Sequence, residues 1–314
     1  MTAALFLTLL GLILLYGGAE GLVRGSSALA LRLGLSPLLV GLTVVAFGTS
    51  SPELAVSVRA ALAGQGDIAL GNVVGSNIAN VALILGVCAL ARPLRVDAQV
   101  VRWDAPVLFA TSALLVVLLG DRVLGRAEGL ALCAALVAYL VLSVHLARRE
   151  PSPGIQEEFA QALPAAPRRL WAEVLLVVAG LGLLVLGGRF LVSGAVTVAR
   201  GLGLSEAFIG LTVVAVGTSL PELATSLVAA LRGEADLAVG NVVGSNIFNV
   251  LGVAGLASVI HPMTANALGR FDLWVMLAVA AVALPIVRTG HRVSRGEGAL
   301  LAVGYFAYVG WLLA

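Results

Sequence analysis

The chain has 314 residues, 60% of them hydrophobic and only 11% charged, and its 19 basic and 17 acidic side chains leave a net charge of +2. Soluble domains carry about 25% charged residues, so this composition excludes a water-soluble fold and makes lipid the solvent for most of the surface. Every basic residue is an Arg and no basic run is interleaved with aromatics, which excludes nucleic acid as a partner.

A bilayer span needs about 20 mostly apolar residues. Ten stretches qualify: 3–22, 37–62, 67–90, 104–120, 124–146, 170–192, 205–231, 236–260, 270–288 and 296–313. Met1 to Tyr16 has no basic segment before its apolar run and no cleavage site, so it reads as the start of the first span rather than a signal peptide. The second stretch holds Gly48-Thr49-Ser50-Ser51-Pro52-Glu53 at mid-span, and the seventh holds Gly217-Thr218-Ser219-Leu220-Pro221-Glu222. Asp67 and Asp236 open the third and eighth and read as helix N-caps. Both cysteines, Cys88 and Cys133, sit in apolar runs and read as small core residues. Between the fifth and sixth stretches, 147–169 is rich in Arg, Glu and Pro and reads as a linker.

The halves 1–146 and 170–314 repeat each other. Residues 34–86 align with 203–255 at a constant offset of 169, and 34 of 53 positions are identical. GNVVGSNI occurs at 71–78 and again at 240–247. A weaker echo, Arg102-Trp103-Asp104 and Arg270-Phe271-Asp272, reads as interfacial anchoring and N-capping. Five spans per half is an odd number, so the second half enters from the opposite face, as an inverted repeat. With the N-terminus outside, thirteen arginines fall in inside connections and six in outside ones. That bias places both termini outside and the linker in the cytoplasm of a cell (inner) membrane protein.

The chemistry lies in the repeated segments. Proline has no N–H for the carbonyl four residues earlier, and its ring clashes there. Pro52 and Pro221 should therefore break their helices at Gly48 and Gly217, leaving carbonyl oxygens unpaired at mid-membrane. Such backbone survives only lining a polar cavity or buried in protein. Glu53 and Glu222 follow at once, and an ionised carboxylate at that depth is costly. A proline kink with Glu paired to Arg is the structural alternative, but no Arg lies at matching depth. Carboxylate, carbonyl and hydroxyl oxygens together suit a hard cation such as calcium or sodium. Asn72, Ser76 and Asn80, with Asn241, Ser245 and Asn249, are spaced by four and so share one helix face. Asn72 and Asn241 also read as polar glue between helices, beside the small residues Gly71 and Gly75.

The paired segments closely resemble the alpha repeats of the sodium/calcium exchanger family, within the calcium/cation antiporter superfamily. The resemblance covers nearly the whole chain and implies an all-α membrane protein of ten helices in two inverted five-helix repeats. It implies an antiporter and not an enzyme, with Ca2+ and Na+ as transported ions and no cofactor. By resemblance, Glu53 and Glu222 with Thr49 and Thr218 form the calcium site. One sodium site takes Glu53, Ala215, Thr218 and Ser245; the other takes Ala46, Thr49, Ser76 and Glu222. Asn80, Asn249, Ser50 and Ser219 line the middle, and Asn72, Asn241, Asp67 and Asp236 are secondary. Some members carry Asp where Asn249 stands, a departure that bears on sodium stoichiometry and potassium coupling.

Two other readings compete. A calcium/proton antiporter would use Glu53 or Glu222 as proton carriers, although the proton-coupled branch typically shows Asn-Ala-Thr-Glu at this place. An intramembrane aspartyl protease would use Gly64-Gln65-Gly66-Asp67, but the copy reads Gly-Glu-Ala-Asp and no Tyr-Asp helix precedes it.

Overall fold

Backbone polar groups in lipid must be satisfied internally, and a chain this apolar does so as helices. The structure, a computed structural model, describes residues 2–149, 170–201 and 215–312. We label the helices α1 (Thr2–Leu33), α2 (Pro37–Thr49), α3 (Ser51–Leu62), α4 (Gly66–Ala91), α5 (Val100–Asp121), α6 (Arg126–Arg149), α7 (Leu170–Gly201), α8 (Ala215–Thr218), α9 (Leu220–Arg232), α10 (Ala235–Ile260), α11 (Arg270–Arg288) and α12 (Arg295–Leu312). Among the described residues seven helices are long and apolar enough to cross a bilayer, and the bent pair α2–α3 makes eight. The stretch expected at 205–231 is described only from Ala215 onward, and most of the 147–169 linker lies outside the described residues. The last expected span, 296–313, is present as α12 but is not among those eight.

Two spans are longer than expected. The stretches 3–22 and 170–192 are the first parts of α1 and α7, each 32 residues. At about 1.5 Å per residue each is roughly 48 Å long, beyond the ~30 Å hydrocarbon core, so they tilt or project. Their second parts are rich in Gly and Ser, which hydropathy scores as boundary but packing keeps helical.

α1 and α7 run antiparallel in intimate contact. Gly11, Gly18 and Gly25 recur every seven residues on α1; Gly180, Gly187 and Gly194 do the same on α7. A methyl group at Gly18 would lie 2.8 Å from Gly180 O, and one at Gly180 2.7 Å from Leu22 N. At Gly187 it would lie 2.9 Å from Gly11 O. In lipid the hydrophobic effect does not drive helices together, so backbone contact through small residues supplies the dispersion energy. Arg32 also donates from Nε and a terminal nitrogen to both Glu173 oxygens, at 2.7 Å each. α1 is tied further to the end of α9, where Arg232 donates to Glu20 (Nε to Oε2, 2.8 Å) and Ser27 donates to the buried Glu234 carboxylate.

α4 and α10 are the most buried spans and form the centre. Contacts come in pairs that exchange the halves. α4 packs on α12 with Gly86 against Gly298, and α10 packs on α6 with Gly255 against the turn of Gly129. Strand β1 (Leu94–Arg95) pairs antiparallel with β4 (Arg292–Val293), and β2 (Val123–Leu124) with β3 (Met263–Thr264). At the offset of 169, β1 is the repeat mate of β3 and β2 of β4, so the two ladders are repeat mates and each joins one half to the other.

The Asp104 and Asp272 echo does not cap helices. α5 begins with a π-helical turn at Val100, and Asp272 lies inside the first turn of α11, which Gly269 precedes. Instead Tyr139 OH donates to Asp104 (3.0 Å) and Tyr308 OH to Asp272 (2.8 Å), tying each helix to the next.

Candidate cation site

Pro52 and Pro221 stand in the first turns of α3 and α9, where a missing N–H costs nothing. The break falls at Ser50 (ψ 6°) and Ser219 (ψ 9°), just before them, and α2 and α3 diverge by 45°. Each break turns a hydroxyl and a carboxylate inward from one short segment. Leu181 of α7 packs on Gly48, and Val192 of α7 on Gly217, so the long helix lies across both breaks.

Glu53 and Glu222 are fully buried, at 0% exposure, and none of the ion pairs among the described residues involves them. Each meets a serine from the other half: Ser219 Oγ donates to Glu53 Oε1 (3.2 Å), and Ser50 Oγ to Glu222 Oε1 (2.9 Å). The second oxygens, Glu53 Oε2 and Glu222 Oε2, have no protein partner. Asn80 and Asn249 are also buried; both amide atoms of Asn80 and Oδ1 of Asn249 are unpartnered. Unmatched buried polar atoms are rare and costly, and of the eight among the described residues four are oxygens on these four repeat-related residues.

Ser76 Oγ lies 3.2 Å from Ser219 Oγ, on the Glu53 side, while Ser245 Oγ lies 3.4 Å from Thr49 Oγ1. Both contacts join a hydroxyl of one half to a hydroxyl of the other; the grouping that the resemblance implies, Ser76 with Glu222 and Ser245 with Glu53, concerns ion coordination, which these contacts do not decide. Ala46 is buried at the start of the turn before Thr49, and Ala215 opens α8. Thr218 is half-buried, its Oγ1 3.4 Å from Asn72 Oδ1.

Asn72 and Asn241 brace the carboxylate-bearing helices. Asn72 donates to Glu53 O (3.2 Å) and Ser57 Oγ (3.0 Å), and Asn241 to Glu222 O (3.4 Å) and Ser226 Oγ (2.9 Å). Thr49 Oγ1 donates to Asn241 Oδ1 at 3.0 Å. Ser57 and Ser226 escaped the sequence reading, although each lies four residues after its glutamate and is identical in both copies.

Asp67 and Asp236 are not the N-caps expected of them. Gln65 and Glu234 precede the helices, and both aspartates lie inside the first turn. A carboxylate there still complements the helix dipole, but Asp67 Oδ1 accepts from Ala267 N (2.7 Å) and Leu268 N (2.9 Å), stapling one half to the other.

Comparison with known proteins shows the family and the fold. The family described as sodium/calcium exchanger protein matches residues 3–145 and 172–314. CaxA of Alkalimonas amylolytica is 41% identical over 98% of both chains. The sodium/calcium exchanger MaX1 of Methanosarcina acetivorans is 31% identical, also over 98% of both. A solved structure of the sodium-calcium exchanger NCX_Mj, soaked with zero Na+ and Ca2+, is similar at a TM-score of 0.85 and 29% identity, covering 99% of each chain.

Proposed function

This chain belongs to the sodium/calcium exchanger protein family and is a multi-pass membrane cation antiporter, not an enzyme, and from that premise we propose that it exchanges calcium for sodium by alternating access. The observation that carries the proposal is the pair of fully buried carboxylates from opposite halves, each with one unpartnered oxygen. Two ionised glutamates supply a charge that one calcium ion neutralises. Calcium takes six to eight oxygens, and Glu53, Glu222, the Thr49 and Thr218 segments and the surrounding serines and asparagines offer a set of that kind. Sodium ions sharing the same oxygens compete with calcium. An empty site would carry unpaired charge through low dielectric, which is prohibitive, so transport in one direction requires return with the other ion.

The moving part in this proposal is the α1–α7 pair. Its backbones are locked together, and α7 covers both helix breaks. A pair that shifts as one body would uncover the site first to one face and then to the other.

Ten spans in two inverted halves, 1–146 and 170–314, complete the proposal. Strand pairing supports it. β2 follows α5 and β3 follows α10, so lying side by side demands an even number of crossings between them. α6, α7 and α10 make three, and the segment ending in α8–α9 supplies the fourth. The arginine bias then places the linker inside an inner membrane and both termini outside. A single cysteine in 150–169 is expected to react with membrane-impermeant maleimide only after cells are opened; labelling in intact cells would reverse the orientation.

Flux of labelled calcium into proteoliposomes tests the exchange. Uptake should follow an imposed sodium gradient at equal pH on both sides. Uptake driven by a proton gradient alone would replace this reading with a calcium/proton antiporter. In the same assay Ser76→Ala and Ser245→Ala should raise the sodium half-saturation by about tenfold, the worth of one contact to a charge. Calcium half-saturation should move much less, and equal shifts in both would merge the sites.

A further inference from the structure

Asn77 and Asn246 are repeat mates at the offset of 169, both buried, at the centre where α4 meets α10. Neither belongs to the oxygen set above. Asn77 Nδ2 donates to the backbone oxygen of Asn246 at 3.3 Å. A carbonyl oxygen only accepts, so the amide of Asn77 has one permitted orientation, nitrogen toward Asn246 and oxygen away from it. That oxygen accepts from Asn249 Nδ2 at 3.1 Å. The orientation of Asn249 is thereby decided as well: its nitrogen is held, and its buried, unpartnered Oδ1 is left as the atom to present. Asn249 lies one turn beyond Ser245, on the same face of α10.

We infer that Asn77 is a positioning residue that sets the sign of the Asn249 amide dipole, keeping an oxygen rather than an NH2 group toward the cation site. A neutral amide is attractive or repulsive to a cation according to which end it shows. A carboxylate in this place would need no such control, because both its ends accept. This chain has Asn249, so orientation carries the whole electrostatic effect. The arrangement is one-sided. Asn246 turns its Nδ2 to Val242 O, one turn back on its own helix (2.9 Å), and Asn80 has no partner at either amide atom. Two halves that are alike in sequence thus hold one central amide and leave the other free.

The inference rests on the proposed cation exchange, and the two fail separately: wild-type protein without sodium-driven calcium uptake defeats the exchange reading, whereas only the variants below defeat the role of Asn77. Equilibrium binding of labelled calcium to purified full-length protein, which needs no turnover, is compared for wild type, Asn77→Ala, Asn249→Ala and the double variant, with the melting temperature of each in ion-free buffer. Asn77→Ala should weaken calcium binding by about tenfold or more, as loss of a group that orients a metal ligand typically does. Asn249→Ala should weaken it at least as much, and the double variant no further, because Asn77 acts only through Asn249. Asn77→Asp, which keeps an acceptor for Asn249 Nδ2, should retain binding. Where Asn77→Ala does not fold, Asn77→Ser reaches neither partner and takes its place. Additive losses, an Asn249→Ala variant that binds normally, or a lower melting temperature with unchanged affinity would each overturn the inference and leave Asn77 as interhelical glue.

Discussion

Glu53→Gln, or Glu222→Gln, is expected to reduce sodium-driven calcium uptake to background while leaving folded protein. The substitution keeps shape and an acceptor oxygen, so the hydrogen bond from Ser219 or Ser50 can persist. What changes is charge. A unit charge about 4 Å from a divalent ion is worth several kcal/mol even at an effective dielectric of about 20. Binding should therefore weaken by well over a hundredfold, since each 1.4 kcal/mol is about a factor of ten. Folding survives because a neutral amide is less costly to bury than an unpaired carboxylate. A merely structural glutamate predicts the reverse, poor expression with normal exchange in whatever folds. Well-expressed, monodisperse Glu53→Gln protein with wild-type uptake would refute the central role of the pair.

The second large effect belongs to the glycine seam. Gly18→Leu and Gly180→Leu should abolish recovery of monodisperse protein, or lower its melting temperature sharply, because the first added carbon already falls 2.7–2.8 Å from backbone atoms of the facing helix. Backbone cannot rotate aside as a side chain can. Overpacking costs about 1–3 kcal/mol in a core able to adjust, and more where it is not. Gly17→Leu and Gly182→Leu are the controls. They lie on the same two helices, yet nothing stands within 4 Å of a carbon added there, so both variants should melt and transport like wild type. Equal losses at Gly17 and Gly18 would mean that leucine is simply unwelcome in α1, and the seam would lose its meaning.

Composition alone determined the solvent: a chain 60% hydrophobic and 11% charged must lie in lipid. The breaks before Pro52 and Pro221 were legible because proline acts on its own helix within four residues, and Glu53 and Glu222 stood out because carboxylates are rare at that depth. These are local effects. What the tertiary structure decided is what crosses between the halves. Gly11, Gly18 and Gly180 are ordinary small residues until two helices meet antiparallel and in register. Asp67 reads as a helix cap until the loop at Ala267 brings its N–H groups to the carboxylate. Ser57, Ser226, Asn77 and Asn246 lie inside the repeat, yet whether an asparagine braces or orients depends on which carbonyl it meets: Asn72 and Asn241 reach one in their own half, Asn77 one in the other. Hydrogen bonds reach about 3 Å and are directional, so the role of a short polar side chain is settled by the juxtaposition of distant segments, which local spacing does not encode.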